Sequence, residues 1–234
     1  MKDWQGKTYW LVGASDGLGA ALAHQLSRTG VEVILSARSE DKLTELAQAL
    51  PGRARVRVLD VTDDADVAQA AKDVGPIDGL VYLAGAYWPF GVTMADVNFT
   101  GLMRVLGQVV PEMVARDHGH IVITSSLTAY RGLPGSIGYT ASKAATLSLA
   151  ESMHADLRKT GVQVQVINPG FIKTQLTDKN DFKMPFLMEP EDAARRVYEH
   201  MNGDSFKLDF PYGFSLLFRL GRFLPDWLYY RFFS

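Results

Sequence analysis

Short β-branched runs alternate with longer amphipathic stretches along most of the chain, the pattern of a parallel sheet with crossover helices. Tyr9–Gly13 reads as a buried strand. Gly17–Arg28 follows as a helix with Leu18, Ala21, Leu22 and Leu26 on one face and Gly30 placed to cap it. Val31–Ser36 and Ser39–Leu50 repeat the unit, and Pro51-Gly52 stops the second helix. Arg55–Leu59 alternates basic and apolar residues, Asp63–Val74 is helical, and Gly79–Ala84 is an apolar strand. Asn98–Arg116 and Tyr139–Thr160 read as long helices, each followed by a strand, His120–Ser125 and Gln163–Ile167. Pro190 suits the first turn of a helix reaching about His200. Right-handed crossovers then imply an α/β fold with a doubly wound parallel sheet, helices on both faces, and ligand outside the carboxyl ends of the strands.

Composition narrows the setting. A chain of 234 residues, 47% hydrophobic, has the length of one large α/β unit spanning 1–234, with residues 210–234 as an aromatic extension. The absence of cysteine excludes disulfides and thiolate metal sites, so no metal is expected and a reducing cytoplasm is the natural setting. The first residues lack the apolar core of a signal peptide. A net charge of −2 argues against nucleic-acid binding.

The first strand runs into Val12-Gly13-Ala14-Ser15-Asp16-Gly17-Leu18-Gly19. Glycines let a backbone turn sharply and approach a pyrophosphate, while the next helix offers free N–H groups. An ordinary strand-to-helix turn needs only one or two glycines, so three within seven residues favour a nucleotide. Here the sequence resembles the short-chain dehydrogenase/reductases, whose motif Thr-Gly-x-x-x-Gly-x-Gly is matched by Gly13, Gly17 and Gly19, with Val12 in place of Thr. The resemblance covers about residues 6–175 and implies a Rossmann-like fold, with Ser15 and Leu18 joining the three glycines against the cofactor.

An acid at the end of the second strand would bind ribose hydroxyls, and an Arg a 2′-phosphate. The strand ends Ser36-Ala37-Arg38, and in the resembled family an Arg beside a small residue marks NADP rather than NAD. The charge of Asp16 in the glycine loop works against a 2′-phosphate, and the alternative for Arg38 is a solvated surface side chain. Asp60 matches the family's adenine-binding acid, with the Val61 N–H donating to the ring; a helix N-terminal acid is the compatible alternative. Leu83-Ala84-Gly85 falls where the family has Asn-Ala-Gly, so Ala84 and Gly85 keep the small residues beside the ribose.

Tyr139 and Lys143 lie four apart on a helix and share a face. A free phenol titrates near 10, and a nearby cation is expected to lower it. The resemblance implies that Lys143 also bonds the nicotinamide ribose and that Tyr139 acts as acid or base on a carbonyl or alcohol. Ser126 precedes Tyr139 by the family's interval of thirteen residues and can bond the reacting oxygen, with Ser125 as rival. Asn98 matches the family asparagine that holds a proton-relay water near Lys143. Pro169 and Gly170 match the family segment beside the nicotinamide carboxamide, where Ile172 and Thr174 are further contacts.

Two regions depart from the family pattern. Residues between Gly85 and Asn98 are few and should truncate the helix before Asn98, leaving Tyr87, Trp88 and Phe90 to line the site or fill the gap. The stretch Phe210–Ser234 holds ten of the 25 aromatics, broken by Pro225, which argues against a spanning helix. It can pack on the body or a sister subunit, form a lid, or lie at a membrane interface with Arg219, Arg222 and Arg231 at headgroups, and packing is favoured. Gln175–Leu187, with Met184 and Phe186, occupies the family's substrate loop and suggests a small apolar carbonyl or alcohol. The family resemblance further implies a homodimer or homotetramer. The reading is an NADP(H)-dependent carbonyl–alcohol oxidoreductase; its rival is an idle NADP(H)-binding sensor or scaffold, membrane-peripheral through the tail.

Overall fold

The computed structural model describes residues 2–87, 92–174, 177 and 184–233. Seven strands alternate with helices: β1 (Thr8–Val12), α1 (Gly17–Ser27), β2 (Glu32–Ser36), α2 (Glu40–Ala49), β3 (Ala54–Val56), α3 (Asp64–Val74) and β4 (Gly79–Tyr82) form the first half. The second half holds α4 (Val92–Ala95), a π-helical turn (Asp96–Thr100), α5 (Gly101–Ala115), β5 (Gly119–Thr124), a 3-10 turn (Leu127–Tyr130) and α6 (Ile137–Leu157). It ends with β6 (Val162–Pro169), α7 (Pro190–Met201), β7 (Lys207–Phe210), α8 (Tyr212–Gly221) and α9 (Asp226–Phe233).

The sheet is parallel throughout, in the order β3-β2-β1-β4-β5-β6-β7. Because successive side chains leave a strand on opposite faces, each strand serves two cores. Leu11, Val33, Val81 and Val122 meet α1, α2 and α7 on one face through Leu22, Leu43 and Val197. Trp10, Ile34, Leu80 and Ile121 meet α3, α5 and α6 on the other through Ala70, Val105 and Leu147. Trp10 is fully buried and its indole N–H donates to Ser36 Oγ at 2.9 Å, which removes the cost of hiding a lone donor.

Local signals explain the helix ends. Asp63 caps α3 by accepting from the Ala65 and Asp66 N–H groups at 2.8 and 3.1 Å, and Pro190 opens α7. Gly30 does not cap α1, contrary to expectation: the helix closes at Arg28, and Gly30 takes a positive φ of 85° in the turn beyond it. The alternating stretch Arg55–Leu59 enters the sheet as the short strand Ala54–Val56, and Arg57 and Leu59 still donate to Leu35 and Ala37. The Arg57 side chain pairs with Asp66 and Asp73 of α3 at 2.9 and 2.8 Å. The helix expected from Asn98 instead begins, among the described residues, with the four residues of α4 and passes through the π turn. Phe210 is no tail residue. It ends a seventh strand paired with β6, and the chain then forms two helices separated at Pro225.

Candidate active site

The carboxyl edge of the sheet gathers the residues singled out above. After β1, Gly13 has φ 95°, and a side chain there would come within 2.4 Å of the Ala84 nitrogen. Gly17 has φ 51° and faces Thr174, whose methyl would lie 2.4 Å from an added Cβ; a Cβ at Gly19 would meet the Gly13 carbonyl oxygen at 2.1 Å. Gly13 and Gly17 therefore bring the β1 loop against the loops after β4 and β6, while Gly19 lets α1 pack on its own loop. Ser15 and Leu18 flank the start of α1, where first-turn N–H groups form an anion-binding end. The carboxylate of Asp16 caps that end, accepting from Gly17 N at 2.7 Å. Ile172 bridges Met188, and Thr174 N donates to Thr177 Oγ1 at 2.9 Å, which fixes the start of the segment after Gly170.

On the β2–β3 side, Arg38 is exposed and close enough to Asp60 to attract its charge. Asp60 accepts from Thr62 N at 2.9 Å and Thr62 Oγ1 at 2.7 Å, and these bonds hold its carboxyl below the usual range. It thus closes its own turn, and the helix cap falls to Asp63. Val61 is buried beneath Gly101.

The central group lies between β5 and α6. Ser126 follows β5 and accepts from Thr128 N at 3.2 Å and Thr128 Oγ1 at 3.1 Å, with its hydroxyl near enough to the Tyr139 phenol to favour the phenolate. Ser125, the rival, donates to the Lys143 carbonyl at 2.8 Å and serves as a strand-to-helix tie. Lys143 is buried and its ammonium donates to the Thr124 carbonyl at 3.0 Å. Asn98, also buried, uses its whole amide: Oδ1 accepts from Ala86 N at 2.7 Å, and Nδ2 donates to Ala86 O and Ser142 Oγ at 3.1 and 3.0 Å. This pins the chain after Gly85 onto α6, and Gly85 lies beside both Asn98 Oδ1 and Lys143 Nζ.

Electrostatics reverse one expectation. Burial pushes the Tyr139 phenol up, with the Ser126 hydrogen bond offsetting only part of it, and the same burial pushes Lys143 down to about 8. Lys143 does not lower the phenol here, because its ammonium is turned to Thr124 and stands 5.8 Å from the Tyr139 ring centre.

Aromatic side chains flank the group. Tyr87 meets Tyr139 edge-on with centroids 5.5 Å apart. Trp88 and Phe90, named with it, lie outside the described residues, as does most of Gln175–Leu187. Phe214 of α8 packs with Phe171, Phe186 and Phe218 at 6.0, 5.5 and 5.0 Å, over Leu127 beside Ser126. Sequence reading missed Ser142, Thr146, whose hydroxyl donates to the Asn98 carbonyl at 3.1 Å, Phe171 and the inward role of Phe214. Ser142 lay inside the Tyr-x-x-x-Lys stretch, but nothing local announced its bond to Asn98. Among the described residues no group of three or more His, Asp or Glu is placed to hold a metal, and no helix is long and apolar enough to cross a membrane.

Residues 7–184 match the family model described as short chain dehydrogenase. The chain belongs to the short-chain dehydrogenase/reductase family. An uncharacterized oxidoreductase of Myxococcus xanthus is 37% identical to it, over 98% of this chain and 97% of the relative. A short-chain dehydrogenase from Streptomyces avermitilis superposes with a TM-score of 0.81 at 25% identity, covering 92% of both chains. The closed form of a serine dehydrogenase complexed with NADP+ gives 0.78 at 25% identity, over 87% of this chain and 94% of that one. The Rossmann-like sheet, nucleotide binding and oxidoreduction follow from family membership.

Proposed function

We propose that the protein is an NADP(H)-dependent oxidoreductase that interconverts a small apolar carbonyl and its alcohol, with Tyr139 as general acid and base. The observation that carries this reading is the juxtaposition of Ser126, at the end of β5, with Tyr139, and of the buried Lys143 one helical turn on. The donor set fits a dinucleotide. The close-packed loop of Gly13, Gly17 and Gly19 and the N-terminus of α1 at Ser15 and Leu18 would take the pyrophosphate, with Thr174 closing over it. Ala84, Gly85, Pro169, Gly170 and Ile172 would flank the nicotinamide half, and Asp60 and Val61 the adenine. Arg38, exposed after β2, would receive the 2′-phosphate; the NADP+ complex of the serine dehydrogenase supports this choice.

When bound, the reduced nicotinamide supplies the hydride. The chain supplies the proton and the orientation. Tyr139 donates its phenolic proton to the carbonyl oxygen, and Ser126 donates to the same oxygen as charge develops. A phenol raised by burial is the protonated acid at neutral pH that reduction needs. Lys143 would hold the nicotinamide ribose hydroxyls, and Asn98, which fixes the Ala86 peptide beside it, is assigned the relay water that returns the proton. Tyr87, Phe171 and Phe214 suit an apolar substrate.

A panel of ketones and aldehydes, followed by NADPH absorbance, tests the reading beside Tyr139→Phe. The variant should bind NADPH normally and turn over at least about a hundredfold more slowly. Near-normal turnover in Tyr139→Phe would remove the mechanism.

A further inference from the structure

The helix α8 has two apolar faces. Phe214, Phe218 and Gly221, spaced three or four apart, face inward; both phenylalanines are 8% exposed, and Gly221 lies against the Tyr229 ring. Leu217 and Leu220 face the other way and are 50% and 65% exposed. Phe223 beyond them is 77% exposed, and Trp227 in α9 is 71% exposed. A surface helix ordinarily turns polar residues to water, so large exposed side chains at this density mark a contact surface.

Charge indicates what covers it. Residues 211–234 carry three arginines against one aspartate, a balance of +2 in a chain whose total is −2, so the rest carries −4. The one acid, Asp226, is paired with Arg131 of the body. Arg131 also donates to the Gly221 and Leu224 carbonyls at 3.0 and 2.5 Å and lies 4.1 Å over the Tyr229 ring, which braces both helices from beneath. On the outer side, Leu216, Leu220 and Phe223 share a cavity of about 270 Å³ with Lys207, Arg219 and Arg222. Two of these cations have internal partners, Lys207 with Glu151 and Arg219 with Asp209, whereas Arg222 lies over the Phe223 ring.

Aliphatic and aromatic side chains rimmed by arginine, on short helices lying along the body, have the chemistry of a bilayer interface. A second copy docking symmetrically by this face would set arginine against arginine, whereas anionic headgroups meet them with opposite charge. We propose that α8 and α9 dock the protein on an anionic lipid surface, with Leu217, Leu220, Phe223 and Trp227 entering the acyl–headgroup boundary and Arg222 at the phosphates. This goes beyond the catalytic reading and does not depend on it.

Flotation of the intact protein with phosphatidylcholine vesicles, plain or containing about a third phosphatidylglycerol, tests the proposal. The wild type should float with the anionic vesicles and be released as salt shortens the Debye length. Arg222→Gln should weaken partitioning about fivefold. The double variant Leu220→Ser/Phe223→Ser, at exposed positions that leave the core intact, should stay in solution with wild-type thermal stability. Wild-type protein that stays in solution with anionic vesicles overturns the proposal. So does a double variant that floats as well as wild type. Dissociation of a solution oligomer by the double variant, without lipid binding by wild type, would assign the face to a second copy instead.

Discussion

A buried ammonium and a half-buried phenol lie four residues apart on α6, and loss of water moves both toward their neutral forms. For Lys143 this has a thermodynamic consequence. Its folded pKa, about 8, lies below the unfolded value of 10.5, so between those limits the unfolded chain binds more protons and stability rises with pH. Below about pH 8 the charged side chain costs up to about 3 kcal/mol relative to strongly alkaline solution. Lys143→Met should therefore melt higher than wild type at pH 7, with the gap narrowing toward pH 10, while turnover is lost. Urea titrations at several pH values on cofactor-free protein check this, and a variant less stable than wild type at pH 7 contradicts it. Arg38 is separable in the same way. It is exposed and makes only an electrostatic contact with Asp60, so Arg38→Ala should leave folding unchanged and raise the NADPH dissociation constant about tenfold or more, with NADH little affected. Equal effects on both cofactors would place the 2′-phosphate elsewhere.

Phe214 shows what one element owes to another. Three aromatic neighbours and Leu127 surround it, so Phe214→Ala opens a cavity and should cost about 3 kcal/mol in chemical denaturation. Neighbouring Leu217→Ala, on the exposed face, should cost almost nothing, and equal losses would mean that α8 packs differently. Such a helix is hard to read from sequence because apolar residues on both faces erase the single stripe that periodicity detects. Only contact with Phe171 and Leu127, distant in the chain, decides which face turns inward. The β1–α1 and β2–α2 units were legible because a buried parallel strand must be apolar and its crossover helix amphipathic. Strand β7 was not: four residues, Lys207-Leu208-Asp209-Phe210, half polar and followed by Pro211, make too short a run. The π turn at Asn98 was equally hidden, since a turn of this kind stands where Asn98 grips the Ala86 peptide and Ser142, twelve and forty-four residues away. The pairing of Ser126 with Tyr139 was visible as spacing. The orientation of the Lys143 ammonium was not, because it follows from a carbonyl on β5.

The molecule divides its polar groups between the two ends of one sheet. The candidate site residues gather at the carboxyl ends, while a buried hydrogen-bond cluster near the amino ends joins β1, β5 and β6. His120 sits at its centre. Tyr9 Oη lies 2.8 Å from its Nδ1, Lys2 Nζ reaches the same nitrogen at 3.3 Å, and Gln165 Oε1 faces its Nε2 at 2.8 Å. Gln165 spends its amide N–H groups on the carbonyls of His200, Gly203 and Ser205, so its oxygen must accept and His120 must carry its proton on Nε2. Nδ1 is then an acceptor, and a second proton there would displace Tyr9 and confront Lys2. Burial accordingly lowers the His120 pKa to about 3, from 6.5. The unfolded chain binds more protons between those values, so stability is complete above about pH 6.5 and falls as pH drops toward 3, by up to about 4 kcal/mol. His200, lowered by the same burial, adds in the same direction. The cluster ties three strands and the end of α7, so its failure should unfold the sheet cooperatively rather than loosen one edge. His120→Gln keeps the polar contacts but cannot take up the proton. It should be less stable than wild type at pH 7 by about 1–2 kcal/mol, with the difference closing or reversing near pH 4. Parallel stability–pH curves for the two proteins would mean that the acid sensitivity arises elsewhere.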